Sequence, residues 1–94
     1  MKRKYEAMII FYPNRDEDRE KAMERLKSII QSEGEITSLD EWGLRKLAYE
    51  IDYTHEGYYV LINFEATPGV VAEMTRVLKI TDCVMRQMIL RDGE

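Results

Sequence analysis

Six segments of the 94-residue chain have a regular spacing of apolar and polar positions. Four are predicted to be β-strands, although the first is apolar on both faces and the second does not keep one strict phase, and two repeat with the period of an α-helix. The strands are predicted over 5–12, 35–51, 58–65 and 83–90, and the helices over 16–32 and 67–80. The chain length predicts a single domain, spanning residues 1–94.

The order β-α-β-β-α-β predicts an α+β fold of the ferredoxin-like type. In this sandwich a four-stranded antiparallel sheet has both helices on one face. Each predicted helix has a single apolar stripe, so neither can cover the opposite face. The third strand should place Tyr58, Val60, Ile62 and Phe64 on the helix-covered core face.

The uncovered sheet face is nevertheless predicted to carry large apolar side chains, which often mark a partner surface. An alternative is that these side chains only contact each other across the strands. The candidates for partner binding, including two residues at a bend beside the face, are Met8, Ile10, Tyr12, Tyr59, Leu61, Trp42 and Leu44. The last strand is compatible with two phases, so its contribution to this face stays open.

Glycines and loop residues predict several local features. Gly34 suits a left-handed cap at the end of the first helix, and Gly43 predicts a bulge in the long second strand. Residues 52–57, which include His55, are predicted to form a hairpin loop. Thr67 and Pro68 are suited to begin the second helix.

Composition excludes several functional classes. A net charge of −4 at pH 7 argues against a coat of positive charge that holds nucleic acid nonspecifically. One cysteine and one histidine give no zinc site, and no apolar run reaches the length of a membrane span. The N-terminus does not resemble a signal peptide, so a cytoplasmic protein with a reduced thiol is expected.

Two kinds of small-molecule site remain as alternatives for this fold. A hydrolase of the acylphosphatase type needs an anion-cradling loop after the first strand, but Arg15 is followed by the acidic residues 16–18. A small-molecule regulatory module usually has a glycine-rich turn there, and this turn has none. His55 and Cys83 are interpreted as a turn residue and a packing residue, and no cofactor is expected.

Cationic residues occur in three places that suit RNA. The basic residues 2–4 precede the first strand, a second pair lies between two aromatic residues, and two arginines lie on the last strand. Lysine and arginine bind phosphate, and arginine also stacks on bases. The alternative is that charged strand residues protect sheet edges from aggregation. The candidates for RNA binding are Lys2, Arg3, Lys4, Arg45, Lys46, Arg86 and Arg91, with residues 2–4 expected in one patch with 45–46.

Four segments, in chain order, carry a resemblance to a known family. The first is a basic start followed by Tyr5-Glu6, an apolar strand and Pro13-Asn14. The second is WGLRKLAYEI at 42–51. The third is Gly57-Tyr58-Tyr59, and the fourth is ITDCVMR at 80–86. Together they resemble the bacterial small-subunit ribosomal protein six family over residues 3–91. The segment at 42–51 is the most specific of the four.

The resemblance implies a ferredoxin-like fold without catalysis, in the central domain of the small ribosomal subunit. It also implies a heterodimer with small-subunit ribosomal protein eighteen that binds small-subunit rRNA as a pair. In this arrangement the basic partner would supply much of the charge. No membrane and no small-molecule substrate are expected.

Overall fold

A computed structural model describes residues 2–51 and 54–91 of the chain. Within these residues the elements follow the predicted β-α-β-β-α-β order. They are β1 (Arg3–Phe11), α1 (Asp16–Ser32), β2 (Gly34–Ile51), β3 (Thr54–Ala66), α2 (Pro68–Ile80) and β4 (Val84–Arg91). The four strands form one sheet in the order β2-β3-β1-β4, with every neighbouring pair antiparallel. The ferredoxin-like prediction is confirmed.

The hydrophobic core lies between one sheet face and the two helices. Alternate residues of β1 point into it, and Ile9 and Phe11 are 0% exposed. Leu26 of α1 and Met74 of α2, also 0% exposed, close the core from the helix side. In β3 the buried positions repeat every second residue, as predicted, from Val60 through Ile62 and Phe64.

Gly34 does not cap α1, and the predicted left-handed conformation at this residue is wrong. The capping position is Glu33, and Gly34 is the first residue of β2, opposite Ala66 of β3. A Cβ atom on Gly34 would collide with the backbone carbonyl oxygen of Glu65 and lie 2.7 Å from the Cβ of Ala66. Glycine is therefore required here by the close approach of two strands.

The β2–β3 hairpin is longer than predicted. β3 begins at Thr54, so His55 lies in a strand and the predicted loop over 52–57 is wrong for residues 54–57. The imidazole Nε2 of His55 is 3.0 Å from Oε2 of Glu50 on β2. Residues 52 and 53 of the predicted loop lie outside the described residues.

The pairing of both outer strands is irregular in places, and two of these irregularities reposition side chains. The predicted bulge at Gly43 is confirmed, since the β2–β3 register shifts between Glu41 and Gly43, and Gly43 has φ +80. A second irregularity lies between Phe11, which is opposite Val84, and Ile10, which is opposite Arg86. It turns Val84 toward the core and Arg86 toward the uncovered face.

The start of α2 only partly follows the prediction. Thr67 does occupy the capping position, and Pro68 is in the first turn. The Thr67 hydroxyl, however, donates to Oε2 of Glu33 at 2.8 Å instead of bonding to the first helix amides. This bond joins the end of α1 to the start of α2.

Arg19 connects α1 to the sheet through side-chain contacts that the sequence pattern did not predict. Its guanidinium lies 3.7 Å from the ring centroid of Tyr58 and donates to Oδ1 of Asp16 at 2.7 Å. Its side chain is only 11% exposed. We expect Arg19→Ala to lower the free energy of unfolding by about 1–2 kcal/mol, because a desolvated cation–π contact is lost together with buried side-chain carbon.

Urea denaturation measures this loss, with Arg25→Ala on the same helix as the control. Arg25 is exposed, so its replacement should change stability by less than about 0.5 kcal/mol. Equal losses in the two variants would show that the Arg19 contact does not stabilise the fold.

Candidate partner and nucleic-acid interface

The uncovered sheet face is organised in rows, because opposed residues of antiparallel strands point to the same side. Each row runs from β2 through β3 and β1 to β4. The three rows nearest the middle of the sheet are Gly43–Tyr59–Ile10–Arg86, Asp40–Leu61–Met8–Met88, and Ser38–Asn63–Glu6–Leu90. Helices cover the other side of the sheet, so these side chains form its open face.

Apolar side chains occupy the middle of the open face. Leu61 and Met8 are partly buried by their neighbours in the sheet. Met88 and Leu90 of β4 are 52% and 51% exposed, which is high for side chains of this size. The ambiguity in the phase of the last strand is thereby resolved, and β4 widens the apolar surface by two residues that sequence reasoning had not assigned.

The end of the β2–β3 hairpin folds over one corner of this face. In a flat sheet, β2 and β4 would be three strand spacings apart, about 14 Å. Nevertheless the Arg86 guanidinium lies 5.4 Å from the ring centroid of Tyr49 on β2. A Cβ on Gly57 would meet Ile10 Cγ2, and it would lie 3.5 Å from Leu47 Cδ2. The hairpin therefore borders a small, partly open pocket of about 150 Å³ above Ile10.

Aromatic rings mark the rim of the open face at the Gly43 bulge. The rings of Trp42 and Tyr59 are nearly parallel, with an interplanar angle of 8° and centroids 6.3 Å apart. Trp42 remains 43% exposed. The structure thus brings Trp42 to the open face, whereas Leu44 lies opposite Tyr58 and so on the helix side of the sheet. Tyr12, one residue beyond β1, is partly buried, and its amide donates to the Cys83 carbonyl at 2.9 Å.

The candidate RNA-binding cations fall into two groups at opposite ends of the sheet. Lys4 is opposite Glu65 on β3, and Arg45 is opposite Gly57, eight residues away along the same strand. At the usual rise per residue the two positions are about 26 Å apart. The expectation that residues 2–4 share a patch with residues 45–46 is therefore wrong, because the antiparallel register places them at different ends.

The last-strand arginines divide between these ends. Arg91 is opposite Tyr5 and lies at the end that holds Lys2, Arg3 and Lys4. Arg86 is opposite Ile10, toward the end that holds Arg45 and Lys46. We name the first set the start group (Lys2, Arg3, Lys4 and Arg91) and the second the hairpin group (Arg45, Lys46 and Arg86).

Acidic side chains also face the open side, between the two groups. Asp40 and Glu6 belong to the central rows, and Glu35 is opposite Glu65 near the start group. By strand register, Lys4, Arg45 and Arg86 point to the open side, whereas three other cations point to the helix side, namely Arg3, Lys46 and Arg91. The open face is therefore apolar and partly acidic, with one or two cations toward each end, in a chain whose net charge is −4.

Among the described residues, little suggests an enzyme active site. A cavity of about 280 Å³ beside Cys83 contains Arg15, which is paired with Asp18 at 2.8 Å. Burial raises the pKa of the Cys83 thiol, which keeps it protonated and poorly nucleophilic. Among residues 2–51 and 54–91, no group of three metal-ligating side chains is close enough to hold an ion. None of the described helices has the length and hydropathy required to cross a membrane.

The fold places the chain in the class of ferredoxin-like α+β sandwiches, here with an apolar sheet face that no helix covers. Sequence comparison then supplies the family. A family model described as "Ribosomal protein S6" matches residues 4–91, and the chain belongs to this family.

The relatives agree over nearly the full length. The chain is 49% identical to the small ribosomal subunit protein bS6 of Desulforamulus reducens and 52% identical to that of Thermoanaerobacter pseudethanolicus. In both cases the match covers 98% of this chain and 99% of the relative. The crystal structure of 30S ribosomal protein S6 from Thermotoga maritima superposes with a TM-score of 0.86 at 35% identity, covering 97% of this chain and 88% of that one.

Family membership confirms the resemblance found in the sequence. The ribosomal protein S6 family is a structural, non-enzymatic component of the small ribosomal subunit. The expectations of a non-catalytic protein and of a place in the cytoplasmic small subunit are thereby confirmed, and the two small-molecule alternatives are rejected.

Proposed function

We propose that this chain binds central-domain rRNA of the small subunit as a heterodimer with small-subunit ribosomal protein eighteen. The open sheet face would meet the protein partner, and the cationic groups would meet RNA. The observation that carries the proposal is the exposed apolar surface in the middle of the open face, with cations at the ends. A structural protein of this family has no substrate that would otherwise account for such a surface.

The docking half of the proposal rests on the energetics of the open face. Full burial of a large apolar side chain contributes roughly 1.5–3 kcal/mol relative to full exposure. Met88 and Leu90 are about half exposed, so each can recover part of that amount in a complex. The proposed docking residues are Met8, Ile10, Tyr12, Trp42, Tyr59 and Leu61, joined by Met88 and Leu90. Leu44 is omitted because it lies on the helix side.

The RNA half of the proposal rests on charge placement. The chain as a whole repels a polyanion, but the start group and the hairpin group each present local positive charge. Because about 26 Å separates the two ends, we propose that they contact phosphates at separate points on the RNA. The exposed ring of Tyr49 near the hairpin group is suited to stacking on an unpaired base.

RNA affinity with and without the partner tests the proposal. The chain alone should bind a central-domain rRNA fragment weakly, since its net charge is −4. Addition of purified ribosomal protein eighteen should raise the affinity by at least about tenfold, because the partner adds phosphate contacts. Filter binding at fixed salt measures both values. Equal affinity with and without the partner would contradict the proposed heterodimer.

Single alanine substitutions test the hairpin group. In the heterodimer, Arg45→Ala and Lys46→Ala should each reduce the slope of log affinity against log salt by about 0.7–0.9, the value for one lost phosphate contact. Both side chains are exposed, so stability should hardly change. Lys21→Ala is the control, since Lys21 lies on α1 and its side chain is 75% exposed. An unchanged slope in both variants, or unfolding of both, would contradict the proposed contact of Arg45 and Lys46 with RNA.

A further inference from the structure

The two edges of the sheet differ in how they are protected against added strands. β2 forms one edge and carries six charged side chains, namely Glu35, Asp40, Glu41, Arg45, Lys46 and Glu50. Its pairing with β3 is also interrupted by irregularities after Ile36, Glu41 and Lys46. Charges and bulges of this kind prevent another chain from pairing with an edge.

β4 forms the other edge and lacks this protection along most of its length. From residue 87 to residue 90 it has no charged side chain, and its register with β1 is regular from Arg91 to Arg86. In the described part of the chain, no strand pairs with its outer side. Alternate backbone N–H and C=O groups therefore point outward along a straight strand that also exposes Met88 and Leu90.

A shallow, open pocket of about 350 Å³ lies along this edge. Its lining combines Leu78 and Lys79, at the end of α2, with residues 84–87 of β4. These β4 residues include Val84 on the core side and Arg86 on the open side. Because β1 fills the inner side of β4, a pocket that touches both faces lies on the outer side. It offers room for a side chain of an added strand.

We infer that the outer edge of β4 accepts an extended segment of the protein partner as a fifth strand. The inference rests on the proposed function and adds where and how the partner binds. Backbone hydrogen bonds would hold the segment, and its side chains would continue the apolar rows beyond Met88 and Leu90.

The side chains of β4 and its neighbour indicate the chemistry of the segment. An apolar residue fits opposite Met88, in line with the apolar row of Met8 and Leu61. A lysine or arginine beside Leu90 can reach across it toward Glu6. A cation opposite Arg86 is disfavoured, because like charges directly opposite each other destabilise a strand pair. The net charge of −4 favours a basic partner over a second copy of this chain.

Hydrogen–deuterium exchange of the full chain, with and without purified ribosomal protein eighteen, tests the inference. Outward amides of β4 should exchange rapidly in the free chain. In the complex their exchange should slow by about tenfold or more, because they become hydrogen-bonded to the partner strand and can exchange only when the interface opens. The outward amides of β2 are the internal control and should be unchanged.

A matched pair of substitutions provides a second measurement. Leu90 on β4 and Leu44 on β2 are both leucines on edge strands, and each is 51% exposed. Leu90→Lys places a charge on the unprotected edge and should weaken partner binding by about tenfold or more, whereas Leu44→Lys should leave it unchanged. Circular dichroism confirms that both variants are folded before the calorimetric titration.

The outcomes separate this inference from the proposed function. A complex that forms without protecting the β4 amides overturns the fifth strand and leaves the heterodimer standing. Absence of any complex overturns both. If protection of the β4 amides from exchange increases with the concentration of this chain alone, the edge pairs with a second copy of the chain. That result also overturns the inference.

Discussion

Replacing Ile9 with serine should unfold much of the population, whereas the same replacement at Ile10 should mainly weaken the heterodimer. Ile9 is 0% exposed in the core, so Ile9→Ser leaves a cavity and a poorly hydrogen-bonded hydroxyl, at a cost of about 3–5 kcal/mol. That is a large fraction of the stability of a small domain. Ile10, the next residue, points to the open face and is only partly buried beneath the hairpin, so serine there should cost less stability than serine at position 9.

Denaturant midpoints and calorimetric titration with ribosomal protein eighteen distinguish the two isoleucines. Leu61→Ser is the companion variant, because Leu61 lies in the next row of the open face. We expect Ile10→Ser and Leu61→Ser each to reduce partner affinity by about tenfold, the equivalent of about 1.4 kcal/mol. Unaltered affinity in both would reject the open face as the docking surface, and a stability loss as large as that of Ile9→Ser would show that these residues belong to the core.

Gly34→Ala should be among the most destabilising single-methyl changes in this chain. The added Cβ would overlap the carbonyl oxygen of Glu65, a backbone atom that cannot rotate away. Relief requires β2 and β3 to separate near Ala66, which is 0% exposed in the core. We expect a loss of about 3 kcal/mol or more, at the upper end of the range for overpacking.

Gly69→Ala is the matched control for this variant. Gly69 lies in the first turn of α2, and the nearest atom to an added Cβ is Thr67 Oγ1 at 3.8 Å. Alanine there should be neutral or should stabilise by up to about 1 kcal/mol, because it restricts the unfolded chain and favours the helix. Thermal unfolding of both variants measures the difference. Similar midpoints would mean that the two strands separate near Gly34 at little cost.

Local patterns were sufficient to predict the elements and most of the core. The bounds of α1 follow from one apolar stripe and an acidic first turn, both of which act within the helix itself. The core face of β3 follows from strict alternation, since Val60 has the parity of the buried positions around it, whereas both sets of alternate positions in β1 are mostly apolar. The bulge at Gly43 follows from the conformational freedom of one residue.

Features that depend on strand register could not be read from local patterns. One irregularity in the β1–β4 pairing reverses the phase of β4 after Val84, so the exposure of Met88 and Leu90 depends on a partner strand far away in the sequence. Gly34 was misassigned for the same reason, because the atom that excludes a side chain there belongs to Glu65.

The arrangement of the candidate interface belongs wholly to the tertiary structure. Composition and spacing could show that Lys4 and Arg45 are cationic and lie near strands. Their separation of about 26 Å, however, is set by where β1 and β2 pair along β3. Likewise, the contact between Tyr49 and Arg86 exists only because the hairpin curves over the sheet. Residue type and period are properties of neighbouring positions, whereas strand register and sheet curvature result from packing between distant segments. For this reason the sequence predicts which residues form the interface more readily than how they are arranged.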